Sequence, residues 1–177
     1  MKRILFIIAQ GFRDEELLEP MALLAEQGCE IKIAAEKIET IIGIKRAQIM
    51  PDMDLEEAAI NLNNFKAIVF VGGPGAKIFF EHPLCHEIIR EAHKKRKIMA
   101  AICIAPIILA KAGILQGYNV TVFTSTTDRH YADGMRVRGA KYIAQDIVID
   151  RNIITAKGPH VATKFGLAIT EQLEEKR

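Results

Sequence analysis

Short runs rich in isoleucine and valine alternate along this chain with stretches of helical periodicity, and that alternation limits the possible folds more than any other feature. Residues 4–9, 67–71 and 97–102 are apolar at nearly every position, which predicts strands covered on both faces. Strands of that kind, joined by helices, make a mostly parallel sheet between two helical layers. The helical stretches are 15–27, stopped by Gly28; 83–95, with Pro83 in its first turn; 106–112, closed by Gly113; and 162–173. Further strands are expected at 30–35 and 119–123. Residues 40–44 and 47–50 suggest an added hairpin, and 147–150 with 153–156 a second one around Arg151-Asn152.

A chain of 177 residues can bury one sizeable core without staples, and no repeat or linker divides it, so residues 1–177 are expected to form a single domain. With 24 Lys plus Arg against 22 Asp plus Glu, the net charge of +2 gives no reason to expect nucleic acid or anionic lipid as a partner. Cys29, Cys85 and Cys103 are odd in number and form no C-x-x-C pair, which fits neither a disulfide framework nor a structural zinc site. The apolar run at 4–9 is too short for a signal-peptide core, and no run approaches a membrane span. The expectation is a cytoplasmic chain acting on a small molecule, with neither cofactor nor metal.

Parallel sheets carry their sites at the carboxyl ends of strands, so the loops after residues 9, 71 and 102 should converge. The third is the most pointed. Met99-Ala100-Ala101-Ile102 reads as a strand that reaches Cys103 and turns at once into helix-starting residues up to Pro106. A thiol on such an elbow stands above the sheet edge, with backbone amides and the positive end of a helix behind it. The first loop crowds Asp14, Glu15, Glu16 and Glu19 at a helix start. Asp14, Glu15 and Glu19 are expected to face solvent and complement the dipole, while Glu16 can turn back over the sheet edge toward Cys103. The second loop, Gly72-Gly73-Pro74-Gly75, matches neither a dinucleotide fingerprint nor a P-loop in spacing, and reads either as a plain turn or as a source of a free amide for an oxyanion.

Gly11-Phe12-x-Asp14-x-Glu16, Gly72-Gly73, Ala101-Ile102-Cys103-x-x-Pro106 and Lys157-Gly158-Pro159, in this order, resemble the ThiJ/PfpI superfamily over nearly the whole chain. The resemblance implies a flavodoxin-like, class I glutamine amidotransferase-like three-layer sandwich and a homodimer. It further implies Cys103 as nucleophile, Glu16 as the carboxyl group beside its sulfur, and the amides of Gly73 and Ile104 as oxyanion donors. Two departures matter. The protease branch has a histidine directly after the nucleophile, where this chain has Ile104, and the deglycase branch has one near the end of the next strand, where it has Phe123. His160, after Gly158-Pro159, and Phe123 and Pro159 are expected to border the site; His130 is placed in a loop. His82, His86 and His93 share a helix face and read as exposed rather than as metal ligands.

A free thiol, with pKa about 8.5, is mostly protonated at neutral pH, and a second negative charge on Glu16 would oppose its ionisation. If the two groups touch they should share one proton. That arrangement suits addition of sulfur to a small reactive carbonyl or glycation adduct, as in glyoxalase or deglycase chemistry. Redox sensing through oxidation of Cys103 is the alternative reading. Peptide hydrolysis is less supported without the histidine.

Overall fold

The computed structural model describes residues 1–175. Seven strands form the central sheet: β1 (Arg3–Ile7), β2 (Glu30–Ala35), β5 (Met53–Asp54), β6 (Ala67–Phe70), β7 (Ile98–Ile102), β10 (Ile147–Asp150) and β11 (Ile153–Ala156). Two short strands, β3 (Ile41–Ile42) and β4 (Gln48–Ile49), pair as an outlying hairpin, and β8 (Asn119–Val120) pairs with β9 (Lys141–Tyr142). The helices are α1 (Asp14–Glu26), α2 (Leu55–Ile60), α3 (Pro83–Lys94), α4 (Pro106–Lys111), α5 (His130–Val137) and α6 (Ala162–Glu175).

Sheet order is β10-β11-β7-β6-β1-β2-β5, and every pair is parallel except β10 with β11. Alternating side chains sort into two cores. From β1, Ile4 and Phe6 pack with Leu17 and Leu24 of α1 and Phe165 and Ile169 of α6, while Leu5 and Ile7 pack with Ile88 and Ile89 of α3 and Ile108 of α4. The expected three-layer architecture, with a mostly parallel sheet, is therefore present. Helices α1 and α6 approach closely where Gly166 meets Pro20; a Cβ at Gly166 would lie 2.8 Å from the Pro20 Cα. No helix of the described residues is long and apolar enough to cross a membrane.

Several expectations need correction. The predicted strand at 119–123 keeps ladder pairing only at Asn119 and Val120 and lies outside the main sheet. Beyond it the chain bonds to side chain and loop instead: the Thr121 amide donates to Thr155 Oγ1 at 2.9 Å, and the Phe123 amide to the Cys103 carbonyl at 2.9 Å. His130 begins α5 rather than sitting in a loop. Its weak periodicity, with Gly134 in the middle, hid that helix. The three histidines of the α3 region are half-buried, not exposed. His82 caps α3, its Nδ1 accepting from the Cys85 amide at 3.3 Å, and His93 packs edge-on against Tyr118 with ring centres 5.7 Å apart.

Candidate active site

The three loops meet at the carboxyl ends of β1, β6 and β7. Strand β7 ends at Ile102, and Cys103 takes φ +63, a left-handed conformation that side chains seldom adopt and that is costly except where the surroundings hold it. The surroundings do so on both sides: the Cys103 amide donates to the Ala156 carbonyl of β11, and its carbonyl accepts from Phe123, both at 2.9 Å. The result is the expected elbow, with a half-buried thiol and with Ile104 only 6% exposed behind it.

Glu16 lies in the first turn of α1 and is fully buried. Its Oε2 accepts from the Gly72 amide at 2.9 Å, its carboxyl stands against the Cys103 side chain, which favours the carboxylate, and Oε1 has no hydrogen-bond partner among the described residues. Gly72 can hold this position only without a side chain: a Cβ there would lie 2.5 Å from Glu16 Oε2 and 2.6 Å from the Cys103 Cβ. Gly73 follows at φ +96, a conformation open to glycine, and aims its amide at the sulfur. The Gly72 carbonyl in turn accepts from the Arg13 amide at 3.1 Å, which locks the first loop to the second.

Burial lifts the Glu16 carboxyl from 4.5 to about 7, against the opposing pull of its hydrogen bonds to Cys103 and Gly72. Burial first, and then the Glu16 charge, push the Cys103 thiol up to about 12, while the amides of Gly73 and Ile104 pull it down. The Glu16 charge thus opposes the thiolate, while the thiol itself favours the Glu16 carboxylate. Between those values the pair holds one proton, which rests on the sulfur, and Oε1, without a hydrogen-bond partner among the described residues, is the oxygen suited to receive it. By contrast Cys85, buried in the core with no such partner, is pushed up to about 12 by burial alone.

Of the remaining residues, Phe123 is hydrogen-bonded through its backbone to Cys103, and its ring meets Tyr131 edge-on at 6.5 Å. Tyr131 also meets Phe80 at 6.4 Å, so an aromatic wall stands where an imidazole was sought. Pro159 opens the turn after β11. His160 is exposed, and its Nε2 faces Asp146 Oδ1 at 3.3 Å. Asp14 overturns the solvent-facing expectation: it is buried and accepts from the amides of Lys45 and Ala47, each at 2.8 Å. These bonds tie the β3–β4 hairpin to the start of α1. Glu15 completes the tie through an ion pair with Lys45, and Glu19 accepts from Thr163 of α6 at 2.7 Å. Asp14 was missed because its partners are backbone amides about thirty residues away, which no local pattern signals.

An α/β sandwich with a buried carboxyl beside an elbow cysteine defines the class, and comparison with known proteins gives the family. The model of the DJ-1/PfpI family matches residues 2–172, and the chain belongs to that family. It is 33% identical over 98% of its length to an uncharacterized protein of Methanocaldococcus jannaschii, covering 83% of that protein. It is 32% identical to a glutathione-independent glyoxalase of Caenorhabditis elegans, over 86% of this chain and 77% of the relative. The deglycase PfpI of Pyrococcus furiosus is 31% identical, with 89% of this chain and 90% of the relative covered. The crystal structure of Drosophila melanogaster DJ-1beta superposes with a TM-score of 0.86 at 30% identity, covering 97% of this chain and 90% of that one.

Proposed function

We propose that this protein is a cysteine-dependent enzyme of small reactive carbonyls, of glyoxalase or deglycase type, with Cys103 as nucleophile and Glu16 as its proton partner. The observation that carries the proposal is the fully buried Glu16 carboxyl set against the elbow thiol, with its Oε1 left without a hydrogen-bond partner among the described residues. The Cys103 thiol passes its proton to the Glu16 carboxylate as the sulfur adds to an aldehyde carbon, the carbonyl π electrons move to oxygen, and the proton taken up by Glu16 then neutralises the resulting alkoxide. The amides of Gly73 and Ile104, which already face the sulfur, are placed to stabilise that oxyanion. Phe123 and Tyr131 supply a wall that excludes water without supplying a base. A glyoxalase and deglycases among the relatives support the same substrate class. We take the enzyme to act in the cytoplasm as a single-domain homodimer, for which the exposed Ile42 and Ile44 of the β3–β4 hairpin region offer apolar surface. The test is methylglyoxal consumption: wild type should turn it over and Cys103→Ser should not, whereas unchanged consumption in Cys103→Ser would remove the proposal.

One observation also favours oxidation of Cys103 as a sensor. A protonated Glu16 and the two amides would hydrogen-bond the oxygens of a sulfinate formed by two successive two-electron transfers from the sulfur to peroxide. Stable gain of two oxygens at Cys103 after mild peroxide, with no dicarbonyl turnover, would select this reading.

A further inference from the structure

At the end of the sheet away from Cys103, where β1, β6 and β7 begin, lies a cavity of about 400 Å³. Lys2, Lys66, Lys95, Arg96 and Lys97 line it over a floor that includes Phe65, and among the described residues no acidic one is in its lining. The register of the sheet brings these cations together: the Lys66 amide donates to the Arg3 carbonyl and the Ile98 amide to the Lys66 carbonyl, so the turns before three neighbouring strands stand side by side. The chain as a whole carries only +2, so this is a local concentration rather than a general excess.

The ammonium groups are positioned rather than loose. Lys2 Nζ donates to the Leu173 carbonyl at 2.8 Å, Lys97 Nζ to the Phe65 carbonyl at 2.5 Å, and Lys95 Nζ to Asn63 Oδ1 at 2.5 Å. Neutral acceptors orient these charges without cancelling them. Three carboxylates near this end are engaged elsewhere, Glu30 with Arg3 and Lys32, Glu91 with Lys94, and Asp150 with Arg151. Lys97 is accordingly held below its usual range by burial and then by the charges of Lys95 and Lys66. Arg96 adds a second oddity. It follows the last residues of α3 at φ +53, the left-handed position where glycine is the usual residue. The helix dipole accounts for a basic last turn, but not for an arginine in that conformation or for lysines arriving from two other loops. Arg96 also lines a neighbouring cavity with Lys94 and Arg151, both of which are ion-paired.

We propose that this cavity is a second binding site, separate from Cys103, for a small ligand bearing two or more phosphate groups. Its volume lies in the range of small-molecule sites, and ammonium groups converging from the turns before three strands suit several phosphate oxygens at once. A single phosphate would meet only part of the ring.

Calorimetric titration of the whole protein with sodium tripolyphosphate and with orthophosphate, at physiological ionic strength, tests this. Tripolyphosphate should bind saturably and more tightly than orthophosphate. The double variant Lys66→Ser/Lys95→Ser, at two exposed positions, should weaken it by about tenfold or more, while Lys164→Ser on the exposed face of α6 should leave it unchanged. Absence of saturable binding in wild type would overturn the proposal. So would equal weakening by Lys164→Ser, which would mean diffuse attraction, or tighter binding of a single-stranded oligonucleotide that displaces tripolyphosphate, which would mean an extended polyanion surface.

Discussion

Burial penalises the charge of both Cys103 and Glu16, and the Glu16 charge penalises the thiolate further, which fixes what their neighbours must do. The sign of the Glu16 shift gives a stability prediction. Its folded pKa of about 7 lies above the value of 4.5 expected when unfolded, so the folded state retains a proton that the unfolded chain releases. The associated stability is fully present below pH 4.5 and is lost as pH rises through about 7, amounting to roughly 3 kcal/mol. Chemical denaturation across that range should show this loss in wild type and a flatter profile in Glu16→Gln; parallel profiles would contradict the shift. Gly72 belongs to the same set of contacts. Gly72→Ala would push a methyl group into Glu16 Oε2 and the Cys103 Cβ, and should abolish carbonyl turnover while the far-ultraviolet circular dichroism stays native. The thiol, the carboxyl and the two-glycine turn were legible in the sequence because each sits at a strand end with a motif around it. The buried role of Asp14 was not, since it is made by amides of a distant hairpin.

At the scale of elements, strands with several consecutive apolar residues were legible and short ones were not. β2, β10 and β11 occupy the expected residues, and β1, β6 and β7 differ only at their ends. Strands β5 and β9 have two residues each, too few for any alternation to register, and α2 and α5, of six and eight residues, are too short for helical periodicity to stand out. The β3–β4 hairpin was anticipated, but not its attachment. Because Asp14 accepts from both Lys45 and Ala47, Asp14→Ala leaves two inward-facing amides unpaired, which should cost about 2–3 kcal/mol. Limited proteolysis should then cut within residues 40–50 much faster than in wild type. Unchanged protection would mean that the hairpin is held by its other bonds, such as Gly11 to Ile42.

Across the whole molecule, charge separates two ends with different chemistry. The carboxyl ends of the strands carry a thiol–carboxyl pair that shares one proton and so at most one negative charge over most of the pH range, while the amino ends carry a ring of cations over a cavity. Salt should therefore act on them differently. Raising ionic strength screens charge–charge attraction and should weaken tripolyphosphate binding steeply, whereas consumption of an uncharged dicarbonyl at Cys103 should hardly change. A strong salt dependence of both would mean that the two ends are coupled. The near-zero net charge of the sequence concealed this asymmetry, because it becomes visible only when the turns before β1, β6 and β7 are brought side by side.

The central claim is that Cys103 and Glu16 titrate as one unit. The pH profile of Cys103 alkylation by iodoacetamide, in wild type and in Glu16→Gln, tests it most directly. Wild type should rise in two steps, the lower near pH 7 where Glu16 titrates and the upper well above it. Glu16→Gln should collapse these to a single step below the upper one, because the charge that opposes the thiolate is gone. A single step near pH 8.5, the pKa of a free thiol, that is the same in both proteins would contradict the account.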